Sequence, residues 1–211
     1  MPTISIANPP KARKKLVKTK VHNTELSDQY SWIRDDNWQE VLHSPNVLKK
    51  NIRKYIDDEN KWTNKKLSFL KPLEKKIFSE IKGKIKEEDT SIPQKDGKWF
   101  YYSETKKNKE YSILRRYKST TSRKNSLIYH DWNKESIPYK YFKPGGAHNS
   151  NNHNLLAWSY DDKGSEFYKI KIKNLNQKKH LTDKISETDG SVIWETDDTG
   201  FYYIKMDKNH R

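Results

Sequence analysis

The 211-residue chain contains no cysteine, which excludes disulfide staples, thiolate zinc centres and a cysteine nucleophile. That absence agrees with a reducing compartment, and a cytoplasmic location is the expectation. Glycine is scarce, at seven residues. None stands two places before a serine with another glycine two places after it, so the G-x-S-x-G turn that presents the nucleophile of an α/β-hydrolase is missing. No apolar run approaches the ~18 residues needed to cross a bilayer. Met1–Lys20 has basic residues but no continuous apolar stretch of the secretory type, and it reads as an exposed basic arm.

Aliphatic side chains are also in short supply. Hydrophobic residues make up 32% of the chain and charged residues 34%, with a mean hydropathy of -1.20. Core-building therefore falls to the 7 Trp, 13 Tyr and 6 Phe, whose rings bury large areas each, and an ordered but weakly stabilised chain is expected. Arginine is confined to positions 13, 34, 53, 115, 116, 123 and 211. The formal net charge of +15 and pI near 9.6 thus rest mostly on lysine, spread along the whole length. A net charge of this sign raises the question of a polyanionic partner. Arginine is the side chain that reads base edges bidentately, whereas diffuse lysine accompanied by asparagine describes a solvated surface. Nucleic acid is accordingly disfavoured as a partner. A basic module binding nucleic acid or another polyanion stays as the alternative reading.

What the sequence does contain is a repeated strand signature, clearest between Asn149 and Asn174. Leu155–Ser159 is an apolar run, Asp161–Ser165 a polar break, and Phe167–Lys173 alternates. In that last run Tyr168, Ile170 and Ile172 share one face and Lys169, Lys171 and Lys173 the other, which predicts one buried and one wet side. Asp96–Ser103, Asn152–Ser159 and Asp198–Lys205 align as three copies of a polar turn followed by a β-rich run, 56 and then 46 residues apart. Repeats of roughly 40–50 residues built from short strands are the sequence form of propeller blades, the alternative being an ordinary antiparallel sandwich whose hairpins resemble one another by chance. Further strands are expected at Lys98–Ser103, Tyr111–Tyr117, Leu127–Asp131, Ser191–Glu195 and Gly200–Lys205. Gly145-Gly146 and Asn149–Asn154 read as loops, and the last strand is expected to stop at His210-Arg211 with no capping element.

The first part of the chain has a different period. His22–Asp36 mixes aromatic and charged residues without periodicity and reads as an irregular segment pinned by Tyr30 and Trp32, with Arg34 pairing locally with Asp35 and Asp36. Ser44-Pro45 offers an N-cap and a first-turn proline, and Leu48, Ile52, Tyr55, Ile56 and Trp62 recur at helical steps, predicting a helix from about Pro45 to about Leu67. Pro72 opens a second, with Leu73, Ile77, Ile81 and Ile85 four apart and Phe78 beside them. Both helices are amphipathic and must lie against something apolar, the chain's own body being favoured over a membrane surface. The resulting division is an arm at 1–20, an irregular segment with two helices at 21–90, and blades at 91–211.

Candidate chemistry is thin. Adjacent Asp35 and Asp36 could act as acids or bind a cation, but neighbours on an extended chain point apart and a structural role is favoured. His148 and His153, five apart in an asparagine-rich loop, lack a clear third ligand. Ser165 and Ser191 each follow a glycine, as turn and strand-start residues. A base needs a nucleophile within hydrogen-bond reach and an orienting acid, and the seven histidines, scattered in polar loops, give no sign of one. No catalytic residue, no metal site and no cofactor is expected.

The block from His22 to Asp36, ending Tyr30-Ser31-Trp32-Ile33-Arg34-Asp35-Asp36, resembles the opening segment of the prolyl oligopeptidase family. Glu80–Pro93 followed by Asp96–Tyr102, then Lys163–Tyr168, and finally Ser191–Trp194 with Gly200–Tyr203 and Asp207–Arg211, are similar to the oligopeptidase B (protease II) branch. The likeness runs from about Pro9 to the end. It implies a mainly β fold with an N-terminal helical arm and a partial, truncated propeller of about two to three blades. In the family the seven-bladed propeller caps an α/β-hydrolase domain and admits only short peptides, cleaved in this branch after Lys or Arg. This chain matches the propeller side alone. The expected partner is a separately encoded catalytic portion, with short basic peptides as ligands only of the complete enzyme, and the isolated chain is expected to be inactive.

Overall fold

The computed structural model describes residues 8–207 and Asn209. Part of the leading arm, residues 1–7, and the His210-Arg211 end of the last expected strand lie outside the described residues. The chain divides into two compact units, Met1–Ile85 and Lys86–Arg211.

The first unit opens with an antiparallel ribbon of β1 (Val17–Val21) and β2 (Thr24–Asp28), joined by His22 and Asn23 at φ 47° and 65°. Residues 17–20 of the arm and 24–28 of the segment read as irregular are therefore strands. Every residue of both is exposed, so no alternation of polarity marks them in the sequence. Tyr30 and Trp32 do pin the segment after the ribbon. The Tyr30 amide donates to Asp28 Oδ1 at 2.7 Å, the Trp32 indole donates to the Arg13 carbonyl at 2.6 Å, and its ring meets Tyr55 edge-on at 5.9 Å.

Three helices come next, α1 (Trp38–His43), α2 (Lys50–Lys66) and α3 (Lys71–Lys84). The helix expected from Pro45 starts later. Pro45–Val47 forms a separate 3-10 turn, Leu48 is extended at ψ 131°, and Ser44 makes no side-chain cap. Asp35 supplies the missing acceptor instead, taking the Lys49 amide at 2.9 Å just before α2. Among the described residues of this unit Ile52 is the one apolar side chain that is fully buried.

The second unit is β-rich. Its first sheet contains β3 (Asp89–Thr90), β4 (Gln94–Asp96), β5 (Trp99–Thr105), β6 (Ile113–Lys118) and β7 (Leu127–Asp131), all antiparallel, with β3 and β4 sharing one edge of β5. A short helix, α4 (Trp132–Ser136), is capped by Asp131, which accepts the Asn133 amide at 3.0 Å. The second sheet holds β8 (Lys143–Asn149), β9 (Leu155–Asp161), β10 (Tyr168–Asn174), β11 (Lys179–His180) and β12 (Ile185–Thr188), with β11 and β12 both on β10. A third begins with the pair β13 (Ile193–Trp194) and β14 (Phe201–Tyr202). The three aligned repeats therefore land on β5, β9 and β14, and the turn before each contains one residue in the left-handed region: Gly97, His153 and Asp198 at φ 54°, 63° and 61°.

Strand β9 is the hub of the core. Leu156, Trp158 and Tyr160 point into one cluster with Trp132, Phe142 and Leu175, while Ala157 points the other way, to Ile170 and Val192. Packed on both faces, β9 reads as a continuous apolar run rather than an alternation. This overturns the wet face expected of β10: Lys169, Lys171 and Lys173 are half-buried. Lys169 reaches Asp162 at 2.5 Å, Lys171 lies 5.3 Å from the Trp158 ring, and Lys173 donates to the Tyr129 carbonyl at 3.1 Å, so long stems cover aromatic surface while their ammonium groups find partners.

The expected Gly145-Gly146 loop is strand β8, bulged between Pro144 and Ala147. The glycines serve close approach. The Gly146 amide donates to Ser159 Oγ at 2.8 Å, and a Cβ on Gly145 would collide with that oxygen and stand 2.9 Å from the Tyr168 ring.

Candidate functional site

The polar groups gathered by this fold sit mainly at the seams between its sheets. At the first seam Arg116, 5% exposed, comes from β6 and lies 4.1 Å from the centroid of the Trp99 ring. It donates to the His153 carbonyl at 2.7 Å, so a strand of the first sheet holds the turn before β9. The His153 imidazole returns the contact through Nδ1 and the Tyr101 hydroxyl, 2.9 Å apart, with Asp96 3.9 Å away. Alternation along β6 explains the division of labour between consecutive arginines. Arg116 turns inward, while Arg115 pairs with Glu104 at 3.0 Å and reaches Ser126. Neither the burial of Arg116 nor its partners were read from the sequence. The available signal was the Arg115-Arg116 pair inside a β-rich run, where period two must turn one of them in.

At the second seam Asn151 and Asn152 meet Asp198. Both backbone amides donate to its carboxylate at 2.7 Å, and the Asn151 side chain spans to the Glu195 carbonyl, also at 2.7 Å. Within the turn after β9, buried Asp161 accepts the amides of Lys163, Gly164 and Glu166 at 2.8 to 3.0 Å. Ser165 sits half-buried in that turn. Ser191 is exposed and directs its amide and its hydroxyl to Asp189, the hydroxyl lying 2.7 and 2.8 Å from the two carboxylate oxygens. These roles are structural.

His148 and His153 go to separate partners. His153 is bound to Tyr101, while the His148 ring lies against Gly146 and burial holds its pKa below the usual value. Among the described residues no group of three His, Asp or Glu side chains could hold a metal ion. Asp35 and Asp36 converge on one cation, Lys49, at 3.0 and 2.8 Å, but only Asp35 is buried. Desolvation pushes the Asp35 pKa up. The Lys49 amide and ammonium outweigh that effect and leave it below the ordinary range. Arg34 lines the same surface pocket as these carboxylates and lies 5.3 Å from the Trp38 ring.

Among the described residues, one buried titratable side chain has no hydrogen-bond partner. His130 is fully buried, neither ring nitrogen has a hydrogen-bond partner, and Trp132 and Trp158 stand 4.3 and 5.0 Å away. Desolvation drives its pKa from 6.5 down to about 3, against an opposing pull from Glu135. Nearby, His180 pairs with Glu135 at 3.2 Å. The arrangement as a whole can hold sheets together. It places no activated nucleophile beside a base in these seams.

Residues 9–211 match the family model described as "Prolyl oligopeptidase, N-terminal beta-propeller domain". Dipeptidyl aminopeptidase BI of Pseudoxanthomonas mexicana is 28% identical over 95% of this chain and 29% of its own length. Protease 2 of Moraxella lacunata is 24% identical over 90% of the chain and 27% of its own length. Among solved structures, oligopeptidase B from Leishmania major superposes with a TM-score of 0.85 at 24% identity, covering 97% of this chain and 30% of that one. The closed form of oligopeptidase B from Trypanosoma brucei, with covalently bound antipain, gives 0.81 at 23% identity. At these identities the likeness shows the fold, an N-terminal propeller whose sheets do not close into a ring. The chain spans less than a third of the length of the relatives it matches. Among the described residues no helix is long and apolar enough to cross a membrane.

Proposed function

The chain belongs to the prolyl oligopeptidase family, as its N-terminal β-propeller part, and from that premise we propose that it is the propeller side of an oligopeptidase B-like serine peptidase. It filters and covers rather than hydrolyses. The peptide bond is broken in the portion of the relatives that this chain does not span, on short peptides after Lys or Arg, in the cytoplasm. The observation that carries this reading is the seam chemistry: the Arg116–His153 and Asp198–Asn151/Asn152 clusters tie sheet to sheet, and Ser165 and Ser191 sit in turns.

The test is turnover of a dibasic fluorogenic peptide by the purified chain, alone and after addition of the separately produced remainder of a relative. Alone, no hydrolysis is expected. Hydrolysis by the chain alone, abolished by a serine-directed inhibitor, overturns the reading.

A further inference from the structure

An aspartate followed by glycine can rearrange without an enzyme, because glycine has no Cβ to hold its amide nitrogen away from the aspartate side chain. The chain contains this pair twice, at Asp96-Gly97 and Asp189-Gly190. The fold treats the two differently. Asp189 Oδ1 accepts the Ser191 amide at 2.9 Å and hydroxyl at 2.7 Å, with Oδ2 2.8 Å from the same hydroxyl. The buried Gly190 amide donates to Thr188 Oγ1 at 3.1 Å, its carbonyl accepts from Ser159 Oγ at 2.7 Å, and a Cβ there would stand 2.9 Å from the Tyr168 ring. Carboxylate and amide are each tied to another partner, in a turn with no room to rotate.

Asp96-Gly97 has neither restraint. The Asp96 side chain is 68% exposed and lies 3.9 Å from His153 Nδ1, beyond hydrogen-bond reach. The ladder between β4 and β5 ends at the Asp96 and Trp99 pair, which leaves Gly97 and Lys98 as an exposed two-residue loop. Among the described residues the Gly97 amide donates to no protein group.

We propose that Asp96 is a site of spontaneous isoaspartate formation and that the product loosens the first seam. The Gly97 nitrogen bonds to Cγ of the protonated Asp96 carboxyl, the Cγ–OH bond breaks, and the hydroxyl leaves with the amide proton as water. A five-membered succinimide remains. Water added at Cγ restores aspartate. Water added at the main-chain carbonyl carbon breaks its bond to the Gly97 nitrogen instead, so the backbone now runs through Cβ and Cγ and the old carbonyl becomes a free carboxylate. No oxidant or cofactor is consumed. The main chain gains one methylene in a two-residue loop, at a place where a Cβ on Gly97 would already stand 2.7 Å from His153 Nε2. That ring bonds Tyr101, and its residue's carbonyl holds Arg116, so the lengthened turn presses on the contacts that join the first two sheets.

The experiment uses the full chain and its Asp96→Glu variant, whose longer side chain must close a six-membered ring and does so far more slowly. Both are incubated for weeks at neutral pH and body temperature in heavy-oxygen water, folded and in urea. Each passage through the succinimide leaves one heavy oxygen, located by peptide mapping, and an isoaspartate-specific methyltransferase with labelled S-adenosylmethionine reads the product. In the folded chain, label and methyl acceptance should build up at Asp96 several-fold faster than at Asp189. In urea the two rates should converge, which assigns the difference to the fold. Asp96→Glu should abolish the Asp96 signal and leave Asp189 as it was. The aged parent should then unfold at lower urea than the aged variant.

Equal rates at the two pairs in the folded chain overturn the proposal, as does an Asp96 that converts in urea and stays intact when folded. A converted chain whose urea midpoint is unchanged overturns the link to the seam.

Discussion

Asp198 receives the backbone amides of Asn151 and Asn152 on its two carboxylate oxygens, each at 2.7 Å. The turn before the third repeat thus clamps the turn before the second. Charge-assisted bonds to backbone are stronger than neutral ones, but this pair is solvent-accessible, so roughly 1–2 kcal/mol is the expected cost of Asp198→Ala. Asp198→Asn keeps one acceptor oxygen and should lose less. Urea midpoints of the two variants measure the order, and equal loss would show that the carboxylate geometry is not what matters.

Arg116 offers a second test, because its charge is buried against a ring and a carbonyl. Lysine keeps the charge but not the flat guanidinium that covers Trp99 at 4.1 Å while donating to His153. Arg116→Lys should destabilise the second unit by about 1–2 kcal/mol. Intrinsic tryptophan fluorescence should report a more solvated environment for Trp99. A neutral outcome would mean that charge alone suffices at this seam.

His130 makes stability depend on pH with a definite sign. Its folded-state pKa is about 3 against the usual 6.5, so the folded chain favours the neutral ring. The contribution is fully present above pH 6.5 and is lost progressively as pH falls toward 3, where both states hold the proton. At 1.36 kcal/mol per pKa unit the loss reaches at most about 5 kcal/mol at the acid end. Glu135, Asp131, Lys173 and His180 face the ring and shape the slope. Neither nitrogen is hydrogen-bonded, so His130→Leu should leave stability near neutral pH almost unchanged. It should also flatten the decline between pH 6.5 and 5, above the range where most carboxylates titrate. Denaturant melts at closely spaced pH values supply the measurement.

These particulars show what was legible in the sequence. The repeat was, because each copy couples a left-handed turn, at Gly97, His153 or Asp198, to a strand rich in aromatic or apolar residues, and both leave local marks in the sequence. Leu127–Asp131 was found to the residue as β7. The lysine face of β10 was misread because alternation reports polarity, and a lysine stem laid over Trp158 is polar in sequence yet half-buried in place. The α2 start was misread because its acceptor, Asp35, lies 14 residues away from Lys49. Hidden too were the seams, where Arg116 and His153 meet across 37 positions.

Gly145 was taken for loop punctuation, and its substitution is the most severe change expected here. Its φ lies outside the left-handed region, so alanine suits the backbone and the whole penalty is steric. The new methyl would meet Ser159 Oγ, which already accepts from the Gly146 amide and donates to the Gly190 carbonyl at 2.7 Å. It would also press on the Tyr168 ring at 2.9 Å. A fully buried hydroxyl with two engagements cannot step aside, so β8 must move off β9, at a cost of about 2–3 kcal/mol for overpacking. Ser159→Gly by itself forfeits both hydrogen bonds and costs about 1–3 kcal/mol. If the collision is with that oxygen, the two substitutions combined should cost clearly less than their separate losses added together, by more than about 0.5 kcal/mol in a double-mutant cycle. Strict additivity would place the clash on Tyr168 instead, and Tyr168→Ala in the Gly145→Ala background would then restore the lost stability.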